Sequence, residues 1–115
     1  MRIGNKITSV STSIGPEGER FIFHGIAPPA YRAGRGEGNK FVLTVYNTNG
    51  AQPVNVSSSR LFSGVTATAN KNSSVTYVFD LKDPSLYWGH LVQFDGNDLV
   101  LSFQYKPALS SGATP

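Results

Sequence analysis

Apolar and polar residues alternate in short runs along most of this chain, and Gly-, Asn- and Asp-containing clusters separate the runs. That is the period-2 pattern of strands with one buried face. Residues 74–81 (SVTYVFDL) place Val75, Tyr77, Phe79 and Leu81 on one face and Thr76, Val78 and Asp80 on the other. Residues 99–106 (LVLSFQYK) set Leu99, Leu101, Phe103 and Tyr105 against Val100, Ser102, Gln104 and Lys106. Residues 41–46 (FVLTVY) carry Phe41, Leu43 and Val45 on one face but Val42 and Tyr46 on the other, which predicts a central strand covered on both sides. Residues 21–26 (FIFHGI) are similar, and Gly25 inside the run predicts a bulge or a close backbone approach. Weaker alternation predicts further strands over residues 6–14, 54–58, 65–69 and 89–94.

The punctuation has a chemical basis. Gly15-Pro16-Glu17-Gly18, Asn49-Gly50, Ser63-Gly64, Asn70-Lys71-Asn72 and Asp95-Gly96-Asn97-Asp98 all supply residues that tolerate positive φ. Asp95-Gly96 between two alternating runs predicts a tight hairpin. A sustained 3.6-residue period is absent, so at most one helical turn is expected, over residues 83–87 after Pro84. The expected fold class is therefore all-β: a single antiparallel β-sandwich, jelly-roll-like, of about eight strands with no significant helix. The domain spans residues 1–106, and residues 107–115 (PALSSGATP) form a flexible tail of small side chains. Residues 27–39 (APPAYRAGRGEGN), with two prolines and three glycines, read as a long exposed loop.

Composition narrows the chemistry. With 115 residues there is room for one domain, and with no Cys there are no disulfides, thiolate metal sites or Cys nucleophiles. Ten Lys and Arg against seven Asp and Glu give a net charge of +3, but the basic residues are scattered singly. A nucleic-acid binder gathers them on one face with aromatics between, so this class is not favoured; Arg32, Arg35 and Lys40 would be its candidates. The N-terminus has no apolar run behind its charges, and no stretch is long and apolar enough to span a membrane. The expectation is a chain made without a secretion signal.

The catalytic inventory is thin. His24 and His90 both lie inside expected strands and are read as structural, without an orienting partner. Ser57-Ser58-Ser59 lacks a nucleophile-elbow context. Asp95 and Asp98 are read as turn formers rather than calcium ligands, and Gly34-Arg35-Gly36-Glu37-Gly38 leads into a strand, not the helix a phosphate cradle needs. No catalytic residue, cofactor or metal is expected. Trp88 is expected to pack in the core or cap one end of it.

By elimination, the expected role is a non-enzymatic structural protein, a virion component such as a minor capsid, cement or head-decoration protein. It would bind other protein subunits, either its own copies as a homo-oligomer or a viral shell, and would be located in the virion. The expected contacts are the loop and tail, through Pro28, Pro29, Tyr31, Arg32, Arg35 and Leu109. The alternative is a carbohydrate-binding, lectin-like module in which Tyr31, Tyr87 and Trp88 form a glycan platform.

Overall fold

A computed structural model describes residues 5–107. These residues form nine strands and no helix: β1 (Asn5–Ile14), β2 (Gly18–Gly25), β3 (Tyr31–Arg35), β4 (Lys40–Tyr46), β5 (Thr48–Asn49), β6 (Phe62–Ala69), β7 (Ser74–Leu81), β8 (Tyr87–Asp95) and β9 (Asp98–Tyr105). They make two sheets, ordered β5-β1-β2-β9-β8 and β3-β4-β7-β6. Every pairing is antiparallel except the two-residue contact of β1 with β5. Consecutive strands lie side by side as β1-β2, β3-β4, β6-β7 and β8-β9, and the chain crosses between sheets after β2, β4, β5 and β7.

The alternation does the sorting. All the residues expected inward on β2, β4, β7 and β9 are buried, among them Phe21, Phe23, Phe41, Leu43, Tyr77, Phe79, Leu101 and Phe103. Their rings join the two sheets edge to face, the favoured arrangement for aromatic quadrupoles. Phe21 of β2 meets Phe79 of β7 at 5.3 Å between centroids, Phe23 meets Tyr77 at 4.8 Å, and Phe103 of β9 meets Phe41 of β4 at 4.8 Å. The β8–β9 hairpin turns where expected. Asp95 pairs with Asp98, and Gly96 takes φ 61° at the first central position, as a type II′ turn requires. The bulge expected near Gly25 is present too: Ile7 pairs with Gly25 and Ser9 with His24, so Thr8 is the extra residue of β1.

Three expectations change. Residues 27–39 are not one long loop, because Tyr31–Arg35 is β3, paired residue for residue with β4. Only alternate β3 positions need be apolar, and the paired backbone orders the segment without a neighbouring molecule. Residues 54–58 are not a strand; Val54 is buried, but the segment has no ladder partner, and Ser59 N–H closes a turn on Val56 O at 2.9 Å. The outer face of β4 is only half covered at Val42 and Thr44, and Tyr46 is exposed, so this central strand is not sealed on both sides. The expected tail, Leu109 included, lies outside the described residues beyond Pro107.

One buried charge organises the end of the core. Glu19 of β2 is 2% exposed and makes no ion pair among the described residues. Its carboxylate accepts from Ser59 Oγ at 2.5 Å, Arg60 N–H at 2.8 Å, Leu61 N–H at 3.1 Å and Tyr105 Oη at 2.7 Å. Four donors replace the water this anion would otherwise hold. The Arg60 guanidinium lies 4.7 Å from the Tyr105 ring centroid and brings positive charge close by.

Candidate functional site

Two regions of the surface stand out. The first is the rim where β8, the last strand of its sheet, lies across from β3, the last strand of the other. Tyr31 of β3 meets Phe94 of β8 at 5.9 Å, and Arg35 sits 5.2 Å over the ring of Tyr87. Tyr31, Trp88, Leu91 and Phe94 are all exposed here, Trp88 by 56%. These four are the larger part of the exposed bulky apolar residues among the described ones; the others are Ile26 and Tyr46. Trp88 therefore neither fills nor caps the core, because β8 is an edge strand with little across from it.

Among the expected contact residues, Pro28, Tyr31, Arg32 and Arg35 are exposed, but Pro29 is buried and cannot meet a partner. Arg35 is also held inside its own hairpin, with Nε donating to Lys40 O at 3.3 Å. The rings of the glycan platform do not share a plane. Tyr87 turns inward against Phe41 and Phe103, its phenol raised in pKa chiefly by burial, while Tyr31 stands edge-on to Phe94. Of the basic residues, Lys40 is paired with Asp80. His90 packs at 4.8 Å on Phe41 and is 3.3 Å from Tyr87 Oη, and burial lowers its pKa.

The second region is a hydrogen-bonded chain of Ser11, His24 and Asp98 on the outer face of the five-stranded sheet, away from β8. Ser11 Oγ is 2.7 Å from His24 Nε2, and His24 Nδ1 is 3.0 Å from Asp98 Oδ2. Asp98 Oδ1 accepts the Gly25 N–H at 3.3 Å, and the carboxylate thus fixes both the ring and the backbone beside it. The expectation that neither histidine has an orienting partner fails for His24, and Asp98 is more than a turn former. β1, β2 and β9 are neighbours in the sheet, and their register brings together positions 11, 24 and 98. No spacing in the sequence signals it; only the strand order does. Among the described residues, no group of three or more His, Asp, Glu or Cys side chains could hold a metal ion, and no helix is long and apolar enough to cross a membrane.

Comparison with known proteins leaves the reading to these two regions: no family model matches the chain, and no curated protein or solved structure matches it significantly.

Proposed function

We propose that this chain is a structural subunit that associates through the β3–β8 rim, with its own copies or with the shell of a virus particle, as a minor capsid, cement or decoration protein does. The observation that carries the reading is β8 itself. An edge strand exposes a row of unpaired N–H and C=O groups, and proteins that stay monomeric blunt such edges with charge, proline or brevity. The nine-residue β8, YWGHLVQFD, has no Lys, Arg or Pro and only a terminal Asp95. The other outer strands are treated differently: β3 is five residues long with Arg32 and Arg35, β5 has two residues, and β6 carries Ser, Thr and Gly, while the register shifts of β6 and β8 both lie at the first residues of the strand. A neighbour continuing the sheet along β8 would satisfy these backbone groups and cover Trp88, Leu91 and Phe94.

The architecture we attach to this role is the β-sandwich, the sheets being joined by the Phe21, Phe41, Phe79 and Phe103 rings. Its jelly-roll variant would need a winding in which consecutive strands alternate between sheets. Sedimentation velocity over a wide concentration range tests the association. Leu91→Lys and Trp88→Glu should abolish it while leaving the melting temperature within a few degrees. A strict monomer at high concentration that attaches to no particle ends the proposal.

The exposed indole of Trp88 favours one second reading, a glycan contact. Binding to a glycan array that Trp88→Ala abolishes, from a monomeric protein, would put that reading ahead.

A further inference from the structure

The geometry points to a catalytic site for short-chain carboxylic esters at the β1 edge, with Ser11 as nucleophile, His24 as general base, Asp98 as its orienting carboxylate and the Thr12 N–H as the donor that meets the oxyanion. The inference does not rest on the association through β8, which lies at the opposite end of the sheet order.

The connectivity of the three side chains is the one acyl transfer needs. Asp98 Oδ2 accepts the hydrogen bond of the His24 Nδ1–H, which leaves Nε2 as the acceptor for the Ser11 hydroxyl at 2.7 Å. The fourth component comes from the ladder. Gly15 N–H bonds to Gly18 O at 2.9 Å at the mouth of the β1–β2 hairpin. Counting back through an antiparallel register, hydrogen-bonded and non-bonded pairs alternate, so Ser13 with Arg20 and Ser11 with Ile22 exchange the bonds. Thr12, between them, turns its N–H away from β2. Since β5 pairs only with Asn5 and Lys6, nothing in the sheet occupies that side of Thr12. The donor belongs to the residue that follows the nucleophile. Beside the same edge, on the core-facing side of β1 to which Thr12 and Ile14 turn, lies a hollow of about 140 Å³ lined by Thr12, Ile14, Asn55, Ser57 and Ser58. Thr12 Oγ1 donates to Asn55 O at 3.0 Å and holds the wall of that hollow against β1. Ser11 itself is exposed on the outer face, so a small ester such as an acetate reaches its Oγ without displacing a side chain.

The steps balance without any further reactant than water. As Ser11 Oγ bonds to the ester carbon, its proton passes to His24 Nε2, and the carbonyl electron pair moves onto the oxygen facing Thr12 N–H. The carbonyl then re-forms and the C–O bond to the alcohol breaks, with His24 returning the proton to the departing oxygen. Water, deprotonated in turn by His24, attacks the acyl-serine and releases the acid and the free Ser11 hydroxyl.

The test uses the full chain with p-nitrophenyl acetate for turnover and a fluorophosphonate for covalent capture, read by intact mass and peptide mapping. We expect one adduct per chain, on Ser11. His24→Ala should lower both rates by roughly a hundredfold or more, the usual weight of a positioned general base. Thr12→Pro deletes the donor together with the Oγ1 bond to Asn55 O, at an edge position where proline is tolerated, and should slow both reactions about a hundredfold, whereas Thr12→Val removes the Oγ1 bond alone and keeps the N–H and most of the rate. Melting curves identify any variant that fails to fold. An adduct on another residue, or Ser11 labelling that is indifferent to His24→Ala in a folded protein, overturns the inference. Either result leaves the β8 proposal untouched, because that is read by sedimentation.

Discussion

Glu19 and Tyr105 meet at 2.7 Å inside the fold, a carboxylate accepting from a phenol across the β2–β9 pair. Removing one side of such a contact strands the other in a place without water. Glu19→Ala leaves the Ser59 and Tyr105 hydroxyls and the Arg60 N–H without their acceptor and the Leu61 N–H with Ser59 Oγ alone, and should cost about 3 kcal/mol or more in urea denaturation. Tyr105→Phe leaves Glu19 three of its donors, and about 1–2 kcal/mol is expected.

Alkaline pH provides a second measurement. Burial pushes the Tyr77 phenol up to about 12 from its ordinary 10, and the Tyr105 phenol is raised by burial and by its hydrogen bond to Glu19. A folded-state value above the unfolded one means that the unfolded chain ionises first. The stabilisation is whole below pH 10 and is lost as pH rises through 12. Tyrosinate absorbance from Tyr77 and Tyr105 should therefore appear together with the loss of sheet signal in circular dichroism. Ionisation of both within an intact fold would contradict their packing.

Two glycines should respond oppositely to alanine. Gly50 has φ +93°, and a Cβ there would sit 2.4 Å from the Ile7 carbonyl oxygen, so Gly50→Ala should lose ~2 kcal/mol or more. Gly34 on β3 has open space where its Cβ would be. Gly34→Ala should be neutral or stabilising by up to about 1 kcal/mol, because it restricts only the unfolded chain. Thermal melts of the pair decide both.

In the core, Phe79 touches the rings of Phe21, Phe41, Phe62 and Phe103, which come from both sheets. Phe79→Ala should cost ~3–5 kcal/mol, the lost transfer energy plus the cavity. Against a usual total of ~5–15 kcal/mol, that brings the protein close to unfolding at ambient temperature.

What the sequence disclosed followed its periodicity. Strand β7 falls on the expected residues 74–81, and β9 within one residue of 99–106, because one face of each is buried and the side chains must alternate. Strand β3 was hidden, since Tyr-Arg-Ala-Gly-Arg has no apolar rhythm; pairing with β4 makes it a strand. Residues 54–58 had the rhythm but no strand to pair with. Ser11, His24 and Asp98 belong to three strands, and only the order of strands could bring them together. Trp88 lies outside the core for a related reason, as exposure depends on whether a strand is central or outermost, which alternation does not record.

The sheet order also sets a schedule. Phe23 pairs with Leu99 and Gly18 with Gln104, so β2 waits for β9, about eighty residues further along the chain. Until then Phe21 and Phe23 have only the β1 side of their sheet, and Glu19 lacks Tyr105. Such distant pairing carries a large loop-closure cost and places the domain among slow folders, on the order of milliseconds to seconds. Truncations that stop before β9 should be aggregation-prone fragments, and a chain that includes β9 should close in a single cooperative step.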